Sequence, residues 1–294
     1  MINTAIVRKC LPVLALCVFL ALLARSQDFQ IVHEVQSQYQ RITVLDWEYG
    51  YRQLIFDGNL DGTDSIQSEM DLSDHYDLSL SYSRHIMAAL PLVEKPGRIL
   101  ILGLGGASMQ RYLYRLLPDA RIETAELDPA ILKVASSYFF FHEDERQVVH
   151  LGDGRKFIEN SNDKYDIIFL DAFSATSIPY ALSTQEFLRA VKDRLAPGGI
   201  VCANLWYTAS EYRDMLKTYA DVFPELHLLK SAGSGNMILV AYPQKAEIST
   251  SLWIDKARAF EKTHQTGLDL PRLIERGAEA LPDLSRAGVL RDKK

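Results

Sequence analysis

The sequence predicts an α/β fold built on an open, mostly parallel, doubly wound β-sheet. Between residues 98 and 222, short apolar segments typical of strands alternate with segments whose apolar residues recur at helical spacing. Such alternation is characteristic of strand–helix–strand units in a parallel sheet. A glycine-rich turn directly follows the first of these strands, and acidic residues follow the next three. A length of 294 residues accommodates this domain together with a small additional unit.

A small antiparallel β unit followed by a loop is predicted for residues 29–75, ahead of the alternating region. β-Branched and aromatic residues bounded by turn formers are typical of hairpin strands. Asp-Gly pairs then mark turns in the loop. The predicted strands of this unit are 31–35, 41–45 and 51–56.

Residues 76–245 are predicted to form the main doubly wound domain. It begins with a helix over 76–92, where apolar residues recur three and four positions apart. The predicted strands of the parallel sheet are 98–102, 121–125, 147–150, 165–170 and 200–203. The later predicted helices are 129–138, 155–159, 184–195 and 210–222, and a hairpin over 227–230 and 236–241 ends the domain. Residues 246–294 form a charged tail that we expect to be partly helical.

Charge and cysteine content argue against several classes of function. The formal net charge is −6, and the first 26 residues contain basic residues but no acid, so the remainder is more negative still. A negative body repels phosphate, which argues against general nucleic-acid binding. Cys202 is the only cysteine of the globular part, so no disulfide can form within that part, and no metal-ligand spacing is present.

The glycine-rich turn over residues 103–108 predicts a ligand site. Gly103, Gly105 and Gly106 allow the backbone to turn sharply and to approach a ligand closely. Free N–H groups at the start of the next helix favour an anionic or polar end of that ligand. Taken alone, the loop is also compatible with a tight turn that binds nothing.

Acidic residues end three consecutive strands of the predicted sheet. Glu126 ends the second strand, Asp153 ends the third just before Gly154, and Asp171 ends the fourth. An acid at the end of the second strand, about 20 residues past the glycine turn, can accept both ribose hydroxyl protons. Because the carboxyl ends of parallel strands meet in one crevice, the three acids predict a site for an adenosine-bearing ligand.

These motifs resemble the class I methyltransferase fold and, within it, the spermidine synthase (polyamine aminopropyltransferase) family, over about residues 29–243. The resemblance implies S-adenosylmethionine or its decarboxylated form as cofactor. It also implies a set of cofactor contacts. These are Gly103, Gly105 and Gly106 in the loop, Glu126 at the ribose, Asp153 and Gly154 at the adenine, and Gln67 near the cofactor.

The same resemblance places Asp171 beside the transferred group and the attacking amine, with Tyr82 orienting the acceptor. The family's Tyr-x-Glu is here Tyr82-Ser83-Arg84, and its Asp-Ser-x-Asp has become Asp-Ala-Phe-Ser over residues 171–174. Two carboxylates that would hold a diamine are therefore missing, and Arg84 would repel an ammonium group. An exposed helix position is the alternative interpretation of Arg84.

We therefore expect an anionic or neutral acceptor, bound in a pocket to which Arg84, Ser174 and Tyr180 contribute. Residues 174–182 are expected to form a lid over this pocket, and a plain surface loop is the simpler alternative. The predicted chemistry is nucleophilic substitution at a carbon attached to a sulfonium, with Asp171 as the base.

Three interpretations of the function remain open at this point. The first is a transferase that moves a methyl or aminopropyl group to a small acceptor other than a simple diamine. The second is a genuine polyamine aminopropyltransferase, and the third is a non-catalytic envelope protein that retains the fold. A small-molecule acceptor is the expected partner, nucleic acid is not, and a homo-oligomer is compatible with all three.

Residues 1–26 resemble a secretory signal peptide or a membrane anchor. Arg8 and Lys9 precede an apolar run over residues 10–24, which is short for a full membrane span. This segment favours a periplasmic, secreted or membrane-tethered location, whereas the cytosolic supply of S-adenosylmethionine favours the cytoplasm. The sequence leaves the localisation open between these.

Overall fold

The structure, a computed structural model, describes residues 29–57, 66–173 and 178–293. It confirms the predicted α/β class, with an eight-stranded central sheet and a four-stranded antiparallel sheet. The predicted signal or anchor over residues 1–26 and the candidate pocket residue Ser174 lie outside the described residues. No helix in the described ranges is both long and apolar enough to cross a bilayer.

The N-terminal sheet has four strands in sequential antiparallel order, one more than the sequence predicts. They are β1 (Phe29–Gln36), β2 (Arg41–Trp47), β3 (Tyr51–Phe56) and β4 (Ile66–Asp71). The additional strand β4 was expected to be loop because only Ile66 and Met70 among its six residues are apolar. Its pairing with β3 is a long-range contact that local sequence does not reveal.

The central sheet has the order β12-β10-β11-β9-β8-β5-β6-β7. Strands β5 to β9 run parallel, and β11 runs antiparallel between β9 and β10, which confirms the predicted terminal hairpin. The strands are β5 (Arg98–Leu102), β6 (Arg121–Glu126), β7 (Gln147–Leu151), β8 (Tyr165–Leu170), β9 (Leu195–Trp206), β10 (Glu225–Lys230), β11 (Asn236–Tyr242) and β12 (Ala278–Glu279).

Helices cover both faces of this sheet, as a doubly wound fold requires. Side chains of β5 alternate between the faces: Ile99 and Ile101 join one core, and Leu100 and Leu102 join the other. The helices are α1 (Ser81–Ile86), α2 (Ser108–Leu116), α3 (Pro129–Tyr138), α4 (Gly154–Asn160), α5 (Gln185–Asp193), α6 (Tyr212–Val222), α7 (Thr250–Thr263) and α8 (Leu270–Gly277).

The helix predicted over residues 76–92 is shorter than expected. Only α1 is α-helical, and a 3₁₀ segment, Met87–Leu92, continues it and contains Pro91. The guanidinium of Arg84 donates to the carbonyls of Leu78 and Ser79, which in a longer helix would accept from backbone N–H groups four residues later. Arg84 thereby holds the non-helical backbone that precedes α1.

The charged tail is an integral part of the fold. Trp253 and Ala257 on α7 and Ile274 on α8 are buried in the same core as α1 and β5. Beyond α8 the chain crosses α5 and α6, where the Leu290 N–H donates to Thr218 Oγ1 at 2.9 Å. The segment contains two helices, and most of its stability comes from these packing contacts.

Replacing Trp253 by Phe tests this attachment of the tail. The indole N–H donates to the Ala88 carbonyl at 2.8 Å inside the core, so Phe would leave a buried acceptor unpaired. We expect a loss of about 1–3 kcal/mol in the free energy of unfolding, measured by urea denaturation. Leu252→Ala on the same helix is the control, because Leu252 is 41% exposed and should cost much less. Equal losses of unfolding free energy in the two variants would show that the hydrogen bond from Trp253 to Ala88 does not attach α7 to the core.

Candidate active site

A cavity of about 360 Å³ lies at the carboxyl ends of β5, β6, β7 and β8. This is the edge where open α/β sheets bind ligands. Most of the residues singled out from the sequence line it together. They are Gln67, Tyr82, Gly103, Gly105, Glu126, Asp153, Gly154 and Asp171.

The glycine turn at the end of β5 has little room for side chains. Gly103 has φ +101°, and a Cβ there would lie 2.5 Å from the carbonyl oxygen of Asp171. Gly105 has φ +52°, and a Cβ there would lie 2.8 Å from Ser68 Oγ. Both positions therefore require glycine for backbone conformation and for space.

Gly106 serves the loop differently, because it does not line the cavity. Its N–H donates to Ser68 Oγ at 2.8 Å, and a Cβ would meet the Ser68 and Phe139 side chains. Ser68 lies on β4, next to the cavity residue Gln67, so the N-terminal sheet supports the loop directly. The sequence analysis missed Ser68 because it did not predict β4.

Glu126 is held rigidly at the end of β6. Its Oε2 accepts the Leu104 N–H at 2.9 Å and its Oε1 accepts the Asp128 N–H at 2.8 Å. Burial raises the pKa of this carboxyl, although the backbone donors partly oppose that effect. Each carboxylate oxygen has more than one acceptor site, so both oxygens can also accept from vicinal hydroxyls of a ligand.

Asp153 and Gly154 form the beginning of α4 at the cavity wall. Asp153 Oδ1 accepts the N–H groups of Arg155 and Lys156 and so caps the helix. A Cβ on Gly154 would lie 3.3 Å from the Leu102 side chain. The pair therefore presents a carboxylate and a flat stretch of backbone to the cavity.

Asp171 is the most strongly perturbed acid of the site. Burial raises its pKa to about 7, even though Asn204 Nδ2 donates to Oδ1 at 2.9 Å and Tyr82 OH donates to Oδ2 at 3.3 Å. Burial and the nearby Asp171 raise the pKa of Tyr82 well above its usual value, so its hydroxyl remains a donor. A carboxyl that titrates near neutrality is suited to accept a proton from a substrate.

Asn204 and Asn236 extend the hydrogen bonds from Asp171 into the core. Asn236 Nδ2 donates to Asn204 Oδ1 at 2.9 Å, and this orients the Asn204 amide toward Asp171. The sequence analysis missed both residues, because an isolated polar residue within an apolar strand has no periodic signature. Their position in the otherwise apolar strands β9 and β11 was the available signal.

Comparison with known proteins identifies the family. Residues 80–245 match the spermine/spermidine synthase domain. Over 233 residues the chain is 35% identical to a polyamine aminopropyltransferase of Vibrio vulnificus, covering 77% of this chain and 76% of the relative. The chain belongs to the spermine/spermidine synthase family.

The solved structures that are similar to this chain include a methyltransferase as well as a probable spermidine synthase. Human methyltransferase-like protein 13, in complex with SAH, is 29% identical, with a TM-score of 0.58 over 63% of this chain and 92% of that one. A probable spermidine synthase from Corynebacterium glutamicum shares the fold, with 19% identity and a TM-score of 0.69 over 90% of this chain and 98% of that one. The chain is thus a transferase of the S-adenosylmethionine type.

Of the pocket residues implied by the resemblance, Arg84 and Tyr180 do not line the cavity, and Ser174 lies outside the described residues. Arg84 is outside the cavity lining, since its guanidinium is bonded to the carbonyls before α1. Tyr180 is 42% exposed and also outside the lining; its hydroxyl donates to the Arg291 carbonyl at 2.8 Å. Its neighbours Pro179 and Ala181 do line the cavity, so the segment borders the site without directing Tyr180 into it.

The described cavity wall is acidic. It contains Glu126, Asp128, Asp153 and Asp171, and within the described ranges none of its lining residues is Lys, Arg or His. Such a wall favours a positively charged ligand. Arg84, which was expected from the sequence to repel an ammonium group in the pocket, contributes no charge to this lining.

Proposed function

We propose that this protein transfers a methyl or aminopropyl group from S-adenosylmethionine, or from its decarboxylated form, to a small acceptor with at most one cationic amine. The restriction on the acceptor rests on the number of acidic residues in the cavity wall formed by residues 171–173 and 178–182. Asp171 is its only acidic residue in the described chain. A diamine carries two ammonium groups, and each needs its own partner when buried.

The other acids of the cavity are engaged elsewhere. Glu126 accepts two backbone N–H groups, and Asp128 and Asp153 cap α3 and α4. These residues suit the hydroxyl and base ends of an adenosine, while the negative wall suits a sulfonium. Beside Asp171 the wall is apolar, with Ala172, Phe173 and Leu182. The acceptor would therefore present one nucleophilic atom next to an apolar body.

In this proposal the sulfonium supplies an electrophilic carbon, whose bond to sulfur breaks as the acceptor attacks it. Asp171 accepts the proton released from the attacking atom, and its pKa near 7 suits that role. Tyr82 and Asn204 hold the Asp171 carboxylate in one orientation. The chain's main contribution is positioning, because holding two reactants in line removes much of the entropic barrier.

A matched pair of acceptors tests the proposal. Putrescine and 1-aminobutane have the same carbon chain and differ by one amino group. With S-adenosylmethionine as donor, methyl transfer leaves S-adenosylhomocysteine; with the decarboxylated donor, aminopropyl transfer leaves 5′-methylthioadenosine. We expect putrescine to be no better an acceptor than 1-aminobutane, measured as kcat/KM.

The alternative is a genuine polyamine aminopropyltransferase, which the acidic wall and the Vibrio vulnificus relative favour. A kcat/KM for putrescine more than about 10-fold above that for 1-aminobutane, with 5′-methylthioadenosine as product, would establish this alternative. Absence of calorimetric binding by both donors would instead support a protein that retains the fold without catalysis.

A further inference from the structure

A second, smaller cavity lies on the side of α2 that faces the chain after α3. Its volume is about 40 Å³, enough for a small ion or a few waters. None of its lining residues belongs to the cofactor cavity. They are His75, Tyr76, Arg111, Tyr114, Phe140, His142 and Gln147.

Arg111 brings a buried positive charge to this cavity. The residue is 4% exposed, and its Nε donates to the His75 carbonyl at 2.8 Å. Nη1 donates to the carbonyls of Gly106 and Phe139, whereas Nη2 is buried and has no hydrogen-bond partner. Across the described ranges Arg111 forms no ion pair, and burial lowers its pKa to about 10. Its charge is therefore uncompensated.

Gln147 adds an unpaired acceptor to the same cavity. It is 1% exposed, and its Nε2 donates to the His142 carbonyl at 2.6 Å, which fixes the orientation of the amide. Its Oε1 is buried without a partner. A buried cation, a free donor and a free acceptor thus line one small space, which is a costly arrangement unless a ligand satisfies it.

Phe140 forms the outer part of this cavity in a strained conformation. Its φ is +54°, unusual for a bulky residue, and it is 52% exposed although its ring stacks on His75 at 3.6 Å. Strain of this kind persists where the surroundings hold it, and it is enriched at ligand sites. The ring and His75 together screen Arg111 from solvent.

We propose that this cavity binds a small oxyanion that carries an acidic hydrogen, with hydrogen phosphate as the reference ligand. Its oxygens accept from Arg111 Nη2 and neutralise the guanidinium, and its hydroxyl donates to Gln147 Oε1. A phosphate monoester offers this hydrogen only as its monoanion. Water satisfies both atoms but leaves the charge uncompensated.

Occupancy of this site affects the cofactor loop through Arg111. The residue that binds the oxyanion also donates to the carbonyl of Gly106, whose N–H is held by Ser68. A ligand that changes the position or charge of the guanidinium therefore biases the loop. Linkage requires the effect to be reciprocal, so donor and oxyanion each change the affinity of the other by the same factor.

The test uses the full chain and inorganic phosphate at constant ionic strength, with sodium chloride as the matched salt. We expect a saturable rise in Tm with phosphate and about 5-fold weaker binding of acetate, which lacks the acidic hydrogen. Glycerol 1-phosphate as its dianion lacks this hydrogen, so we expect it to bind about as weakly as acetate. A rise in Tm no larger than that in the matched chloride would overturn the proposal.

Two variants at Gln147 localise the effect without removing Arg111, whose loss would leave three carbonyls without their donor. Gln147→Glu places a carboxylate beside the guanidinium and removes the donor to the His142 carbonyl, so we expect no saturable rise in Tm with phosphate. Gln147→Met removes the acceptor and should weaken phosphate binding about 5-fold. Arg258→Gln, at a 63% exposed side chain, is the control and should respond like the unmodified chain. Equal phosphate responses in all four chains would place the anion elsewhere.

Discussion

Asp171→Asn is expected to lower kcat about 100- to 10,000-fold while making the folded chain more stable at and above neutral pH. The amide cannot accept the proton of the acceptor. Its oxygen can still accept from Asn204, and its NH₂ group can donate to the Tyr82 hydroxyl oxygen, which reverses the direction of that bond. The stability gain arises because the carboxylate is ionised at high pH in a buried position that disfavours its charge. Activity and stability therefore change in opposite directions.

The pH dependence of this variant follows from the sign of the pKa shift. The folded-state pKa of Asp171 is about 7, above the ordinary value of 3.8, so the folded state binds the proton more tightly than the unfolded state. The carboxyl therefore makes folding less favourable as pH rises from about 4 to about 7, and this penalty is constant above that range. The asparagine variant has no such penalty, and the difference in unfolding free energy reaches at most about 4 kcal/mol.

Urea denaturation at pH 4.5 and pH 8 measures the stability effect, and the pH profile of kcat/KM measures the catalytic one. The unmodified chain should gain activity as pH rises through about 7, because the profile reports the free enzyme's base. Asp255→Asn, a change at a 68% exposed carboxyl on α7, should alter neither quantity. A stability difference that is independent of pH would show that Asp171 is ionised normally and is not the neutral-range base.

Glu126→Gln is expected to weaken the binding of adenosine ligands about 100-fold, since two hydrogen bonds to a charged group are lost or reduced. The change keeps the shape of the side chain but places an NH₂ group where two backbone N–H groups now find acceptors. One of the N–H groups, that of Leu104 or that of Asp128, is left facing another donor. The substitution therefore also disturbs the end of β6 that carries the residue.

Calorimetry with S-adenosylhomocysteine and 5′-methylthioadenosine tests this prediction. The two ligands share adenosine and differ in the group on sulfur, so the loss should be the same for both. Asp153→Asn is the comparison variant, because the amide oxygen can still cap α4; we expect its effect to be below about 10-fold. Unchanged affinity in Glu126→Gln would mean that the ribose lies away from β6.

The main cavity could be predicted from the sequence because its acids occupy strand ends. The fold determines where strand ends meet, so Glu126, Asp153 and Asp171 could be assigned to one crevice before any coordinates were known. The order of strands, helices and turns along the chain likewise predicted the glycine turn and the terminal hairpin. Each of these inferences depends on topology and not on the orientation of one side chain.

The remaining site residues depend on contacts that no local pattern specifies. Arg84 occupies the motif position of a pocket residue, yet its guanidinium bonds to carbonyls five and six residues earlier. Asn204 meets Asp171 because β9 is paired with β8, and Asn236 reaches Asn204 because β11 is paired with β9. Ser68 needed a fourth strand that has too few apolar residues to be recognised. In each case tertiary pairing determines the role of the side chain.

The hydrogen bond between Ser68 and Gly106 has a consequence for how this protein can be recombined or shortened. The glycine turn takes its shape partly from a strand that precedes it by almost forty positions, so residues 76–293 are not a separable module. A hybrid that joins residues 76–293 to the N-terminal sheet of another protein would contain the acids at the strand ends. It would lack the hydrogen bond from the Gly106 N–H to Ser68 Oγ. Donor affinity in such hybrids should therefore follow the identity of the residue that replaces Ser68.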